Sequence, residues 1–433
     1  MTISSSLNAG VAGLSSNATR LAAISDNIAN SATAGYKRTS TDFHSLVIQN
    51  ASRSVYSAGG VTSTSTRLVD QRGALSRTDN GTDLSINGRG FLPVTDLTSL
   101  KATGSPTSLA LITTGSFRMD ENGWLRTSAG HVLLGWPAAS DGTVSVMPRD
   151  TLTGLQPIRI NMDQISANPT TQAKVAINLP ATDTRSTASG APREMVMEYF
   201  NNLGESRELS FSFTPVIPAT GSSNSWRLDI HDSYTGMLAG SHELTFSDQS
   251  GTAGTLAQVN SLSGGAYDPA TGRFQLQLPH GTVEIEIGRP GMANGLTQLA
   301  ADYVPSAPVK DGSPASSMVG LEVDSSGNLH GLYDQGFSRL LYQIPVADVR
   351  NPNGLTAIGN QAYQVSNASG SFYLWDAGTG PTGQVEAFSR EESTTDIANE
   401  LTQLIQTQRA YSTNAKVIQT VDEMLQETTN LKR

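Results

Sequence analysis

Cysteine is absent from the 433 residues. That excludes disulfides, thiolate metal ligands and a cysteine nucleophile, and it suits a chain exported unfolded, which must not cross-link on the way. No run of about 18 apolar residues occurs, so no segment reads as a membrane span. Residues 1–30 lack the basic start and continuous apolar core of a secretory signal. If the protein works outside the cell, the expectation is export without a cleaved signal peptide. Charged residues make up 15% of the chain and aromatics 6%, which leaves Ser, Thr, Asn, Gln and Gly to cover the surface, as in extended β-rich extracellular proteins. The net charge of −10 offers no basic stripe to neutralise phosphates, which excludes a nucleic-acid partner.

Chemistry-bearing patterns are equally scarce. The six histidines, at 44, 131, 231, 242, 280 and 330, show no metal-ligand spacing, and no G-x-S-x-G elbow is present. GTGPTG at residues 378–383 matches G-x-G-x-x-G, but Pro381 interrupts it and no βαβ unit surrounds it, so it reads as a turn. Asp120-Glu121-Asn122-Gly123 starts like a calcium loop and lacks the distal ligand; it reads as a hairpin turn. Acidic pairs such as Asp79 with Asp83, or Glu284 with Glu286, read as solvated strand faces. The expectation is no enzyme, no metal and no cofactor.

What is present is strongest at the two ends. Residues 393–433 contain neither Pro nor Gly. Ile397, Leu401, Leu404, Tyr411, Ala415, Ile418 and Leu425 recur at helical spacing. Ser393 or Thr394 is the expected N-cap, Asp396 an acid in the first turn, and Lys432 and Arg433 the basic C-terminal end. Such a helix would run roughly 60 Å at 1.5 Å per residue, and its stripe needs a partner. Residues 3–31 supply one: Leu7, Val11, Leu14, Ala18, Leu21, Ser25 and Ile28 form a heptad seam. The two ends are therefore expected to pair as a coiled coil.

Between them the period changes. Residues 34–70 are Ser/Thr-rich and read as an extended connector with short helical or strand pieces. From residue 68 onward, short alternating runs separated by Asn-Gly turns at Asn80, Asn87 and Asn122 predict an all-β body. A transition near 147–156 and the Pro/Ser/Gly stretch VPSAPVKDGSPASS at 304–317 mark joints. The expected organisation is nested and mainly β with long terminal α-helices. Residues 1–33 and 393–433 are paired helices, 71–146 and 305–392 one β-rich domain, and 147–304 a second β domain inserted into it.

DNIANSATAGYK at 26–37 resembles the NIAN-x-x-T-x-G-[YF]-K signature of the bacterial flagellar axial proteins, the family of rod, hook and hook-associated subunits; Asn27, Ile28, Ala29, Asn30, Gly35, Tyr36 and Lys37 carry the likeness. QRAYSTNAKVIQTVDEMLQ at 408–426 resembles that family's C-terminal pattern through Gln408, Arg409, Tyr411 and Asn414. GALSRTDNGTDLSINGRGFLPV at 73–94 resembles a stretch shared by rod and hook members. EYFNNLGESRELSFSFTPV at 198–216, followed by SWRLDIHD, is similar to a segment of the hook branch. One departure is Thr394-Thr395, where the family often has Asn-Val before the last helix.

The resemblance implies a structural subunit of the flagellar hook, exported unfolded through the flagellar type III apparatus. It would polymerise with itself under a hook cap into a curved hollow tube, a universal joint carrying torque from rod to filament. Rod, hook cap and hook–filament junction proteins are the implied partners, and the outside of the cell, on the basal body, the implied location. A distal rod protein is the nearest alternative, against which the inserted block speaks; an extracellular β-rich adhesin or fibre protein is the alternative outside the family.

Overall fold

The computed structural model describes residues 3–46, 59–98, 100, 108–139, 142–163, 165–305 and 307–430. Leu431, Lys432 and Arg433, and residues 47–58 of the expected connector, lie outside the described residues.

Two long helices bracket a mainly β chain: α1, Ile3–Ala29, and α2, Ile397–Asn430. Helix α2 starts one turn later than Ser393 suggests. Its cap is Asp396, whose Oδ1 accepts the Ala398 and Asn399 amides at 3.0 and 3.2 Å. Threonines in α2 turn their hydroxyls onto carbonyls one turn back, as Thr407 does to Gln403 O at 2.7 Å, which satisfies the hydroxyls within the helix at a slight cost to its stability.

The helices pack antiparallel, with Gly10 against Ile418, Gly13 against Asn414, and Arg20 Nη2 3.4 Å from Gln403 Oε1. A Cβ on Gly10 would lie 3.1 Å from Ile418 Cγ1, and one on Gly13 2.8 Å from Asn414 Nδ2. This face is offset from the heptad seam. Along α1 the buried positions among the described residues are Ser5, Gly10, Gly13, Ser16, Asn17, Ile24 and Asn27, while Leu7, Leu14, Leu21 and Ile28 are half-buried and Val11 and Ala18 exposed. Close approach of two backbones requires small residues at the contact, so glycine, poor in hydrophobic signal, takes the place where a seam of leucines was expected.

The described parts of the expected connector, residues 34–46 and 59–70, hold regular strand. Thr39–Ser45 and Val61–Arg67 form an antiparallel hairpin in continuous register from Thr39↔Arg67 to Ser45↔Val61. The hairpin lies on a second face of α1: Ser16 Oγ reaches Val61 O at 3.5 Å, and the Arg20 guanidinium sits 5.6 Å over the Phe43 ring. An isolated two-stranded ribbon is marginal in water, and the helix provides the surface that holds this one.

The chain divides into two compact units, one formed by 1–161, 320–332 and 338–433, the other by 162–319 and 333–337. These bounds differ from the expected insert at 147–304. Leu155, Ile158 and Ile160 are buried in the first unit. In the 304–317 stretch, Val309–Lys310 pairs with Gln172–Lys174 and Ser313–Ser316 with Ser166–Asn168, so these two segments are strand rather than free linker.

The first unit's main sheet runs through Ser338–Gln343, His131–Pro137, Leu92–Asp96, Ala110–Ile112, Ala362–Gln364 and Thr356–Gly359. Its core gathers Phe91, Leu111, Leu134, Trp136, Tyr363 and Leu374. Gly123 turns at φ 83°, and a Cβ there would meet Ile160 O at 2.1 Å, so the Asn-Gly turn is fixed by packing as well as by hairpin geometry.

The second unit has a five-stranded antiparallel meander, Arg193–Phe200, Ser206–Pro215, Ser225–Asp232, Met237–Phe246 and Leu256–Ser263. Inward residues alternate along it, Leu209, Phe211 and Phe213 opposite Leu228 and Ile230, and they share a core with Phe274, Leu276 and Ile285 of a second sheet. Two Asp-x-x-Thr-Gly turns repeat one design: Asp232 and Asp268 each accept a backbone amide two residues on and a threonine hydroxyl three residues on.

His242 is a polar residue inside that core. It is fully buried, its ring centroid is 4.1 Å from that of Phe274, its Nδ1 lies 3.1 Å from Ser261 Oγ, and its Nε2 has no partner. Burial pushes its pKa down from 6.5 to about 4. The folded state therefore holds the neutral ring while the unfolded chain takes up a proton, so stability is constant above pH 6.5 and falls as pH drops toward 4. Urea titrations of the full chain at stepped pH should show the second unit losing up to about 3 kcal/mol over that window. In His242→Leu this part of the slope disappears; an unchanged pH profile would remove His242 as its cause.

Candidate assembly site at the chain ends

The residues between α1 and its hairpin, and those leading into α2, converge on one buried junction. Gly35 takes φ 72°, and a Cβ there would sit 2.9 Å from Thr114 Cγ2; the turn carries Tyr36, Lys37 and Arg38 back across the end of α1. Each then meets a group near the other end of the chain.

Lys37 is fully buried, and its Nζ lies 2.6 Å from Glu391 Oε1 and donates to Gln71 O at 2.7 Å. Glu391 Oε1 also accepts the Gly73 amide at 2.8 Å, and the Glu391 carbonyl accepts the Gly35 amide at 2.8 Å. Desolvation lowers the Lys37 pKa, opposed by the Glu391 carboxylate. Arg38 donates to Glu400 Oε1 through Nε and Nη2 at 3.1 and 2.9 Å, and Glu400, in the first turn of α2, is 1% exposed. The Thr394 hydroxyl accepts the Arg38 amide at 2.9 Å, and the Thr394 amide reaches Tyr36 O at 3.0 Å. Thr394 thus serves this junction instead of capping the helix.

Asn27 locks α1 to its hairpin. Its Oδ1 accepts the Thr39 amide at 2.8 Å and its Nδ2 donates to Thr39 O at 2.9 Å, so the side chain pairs with the backbone as a neighbouring strand would. The Tyr36 hydroxyl is 2.9 Å from Asp26 Oδ2; burial first, and then this carboxylate, push its pKa up to about 12. Asn30 Nδ2 donates to Asp26 O at 2.9 Å, and Asn30 Oδ1 accepts the Thr33 hydroxyl at 3.2 Å, closing the helix end.

The structure thus brings Asn27, Asn30, Gly35, Tyr36 and Lys37 into one junction. Ile28 is half-buried beside it and Ala29 exposed. Of the C-terminal motif, Asn414 faces α1, while Gln408, Arg409 and Tyr411 point outward. Along α2 the buried positions are Glu400, Thr407 and Val421; Leu404 and Ile418 are half-buried, and Ile397, Leu401, Tyr411, Ala415 and Leu425 are exposed. The exposed apolar positions are substantial: Ile397 is 48% exposed, Leu401 46% and Val11 52%. Sequence reasoning missed Gly10, Gly13, Asn17, Ile24, Arg38, Glu391, Glu400 and Thr407, while Val421 belongs to the apolar set beside the expected stripe. Arg38, Glu391 and Glu400 carried little signal, since Arg38 follows Lys37 and Glu391 stands between Arg390 and Glu392, and charges so placed read as solvated flanks. The glycines carried none, since a helical glycine reads as a weakness until its neighbour is known.

Two family models match the ends: "Flagella basal body rod protein" over residues 7–37 and "Flagellar basal body rod FlgEFG protein C-terminal" over 389–431. Across its full length the chain is 32% identical to the flagellar hook protein FlgE of Brucella suis, each covered completely. It is 28% identical to that of Escherichia coli K12, with 98% of each chain covered. Among solved structures it is similar to a Helicobacter pylori flagellar hook protein, FlgE2, at 12% identity and TM-score 0.45, covering 74% of this chain and 99% of that one.

Removing one partner of the Lys37–Glu391 pair strands a buried charge. Lys37→Met and Glu391→Gln should each lower the first unit's unfolding free energy by about 3–5 kcal/mol in urea titrations, and the double change Lys37→Met with Glu391→Leu should recover most of it. Single variants that unfold like the parent would show that the junction does not hold the ends.

Proposed function

The chain belongs to the flagellar hook protein family, and from that premise we propose that it polymerises through its paired terminal helices into a hollow tube that works as a universal joint between rod and filament. The protein is a structural subunit of the flagellar hook. The observation that carries the mechanism is the division of labour on the helices. Glycines, Asn414 and a few apolar residues such as Ile418 make the contact between α1 and α2, and other large apolar side chains stay exposed on Val11, Ile397, Leu401, Ile405, Tyr411, Val417 and Met424. Contiguous exposed apolar stripes on a protein this polar mark interaction surface, and in a homopolymer their partner is the same stripe region of other copies.

The β units suit the other half of the task. Their surfaces are rich in Ser, Thr and Asn, and contacts of that kind can be broken and remade as a tube bends, whereas an apolar interface would hold one geometry. The helices then resist twisting and the outer units permit bending. Passage through the flagellar type III export apparatus without a cleaved signal, growth under a hook cap, and contacts with rod and hook–filament junction proteins complete the reading. The role is mechanical, without a catalytic step or cofactor.

Deletion of residues 394–433 should abolish tubes in electron micrographs of hook preparations while leaving the β units folded. Normal tubes from the truncated chain would remove the helical core from the mechanism. Circular dichroism should show more helix per chain in polymer than in monomer, because helices without neighbours are marginal; equal helicity would break the coupling between folding and assembly.

A further inference from the structure

We infer that Asn414, seated on the bare backbone of Gly13, sets the register of α2 along α1 and thereby the phase in which the two helices present their apolar stripes to other copies. This rests on the reading of the paired ends as the polymer's core. A Cβ on residue 13 would fall 2.8 Å from Asn414 Nδ2 and 3.2 Å from its Cγ, so only glycine leaves room for the carboxamide. The spot is polar: Asn17, one turn along α1 and 7% exposed, donates Nδ2 to the Gly13 carbonyl at 2.8 Å.

On either side the contact is apolar or carries a long hydrogen bond. Gly10 receives Ile418, and Arg20 meets Gln403 at 3.4 Å. Sliding α2 by one turn would place Ala410 or Ile418 on Gly13, leaving an empty notch in one case and a branched apolar side chain against Asn17 in the other. A small buried polar contact of this kind discriminates between registers at the expense of some stability. Leucine repeats alone do not, since each turn resembles the next. Asn414 is thus a positioning residue: the junction anchors the first turn of α2 through Arg38 and Glu400, and Asn414 fixes the height of Tyr411 and the turns beyond it relative to Val11.

Because the chain has no cysteine, introduced pairs report register without background. Three full-length reporters, R20C/Q403C, R20C/N399C and R20C/T407C, are assembled into hooks and treated with a short bis-maleimide. With Asn414 in place, the intrachain product should form mainly in R20C/Q403C. Asn414→Leu should lower that yield several-fold and raise one of the two slipped products, with polymer helicity unchanged; Gly13→Ala should do the same by sterics, and Asn414→Ser should keep the parent register. An unchanged R20C/Q403C yield in both N414L and G13A overturns the inference. So does loss of all three products without a slipped one, which would make Asn414 a holder of the pair and not its gauge. Absence of the R20C/Q403C product in the parent background would instead overturn the paired-ends reading itself.

Discussion

The buried contact between Lys37 and Glu391 joins residues 354 apart in sequence, and most of the first unit is arranged by it. Closing a loop of that length costs about 5 kcal/mol of chain entropy, and an isolated buried ion pair would not offset it. The pair is stable because it is not isolated. The Gly73 amide and the Gln71 carbonyl complete its hydrogen bonds, and Arg38–Glu400 and Thr394–Tyr36 repeat the link within a few residues. Once the strands bearing Lys37 and Glu391 are joined, α1 and α2 leave the same place in opposite chain directions, which makes their antiparallel packing a consequence of the junction.

That arrangement explains why the helices can be poor at covering each other. Their mutual face holds Gly10, Gly13, Asn414 and Ile418, a small apolar area for two helices of this length. The junction supplies the proximity, and the small residues supply only close approach. Large apolar side chains are thereby released to the outside, where a polymer needs them. A subunit built the other way, with leucines facing inward, would be a more stable monomer and a weaker building block.

The β units follow a different logic. Their cores are conventional alternating strands, and His242, on the fourth strand of the meander, is a strongly shifted group there, silent near neutrality and costly in acid. Their outer surfaces carry paired charges, such as Arg273 with Glu284 and Glu286, which contribute little to stability in water and leave the surface wet.

The sequence by itself determined the broad plan. Freedom from Pro and Gly made the closing helix legible, period-two runs with Asn-Gly turns made the β body legible, and the two end motifs gave the family. These signals are local, written in neighbours a few residues apart. Tertiary structure alone decided which face of each helix is buried, that Thr394 bonds the junction while Asp396 caps, that the Ser/Thr stretch is a hairpin, and that residues 147–161 belong to the first unit's core. Each depends on groups tens or hundreds of residues away. A glycine at a helix contact, or a lone glutamate awaiting a buried lysine, is defined by the partner it meets, and that partner is chosen only when the chain folds.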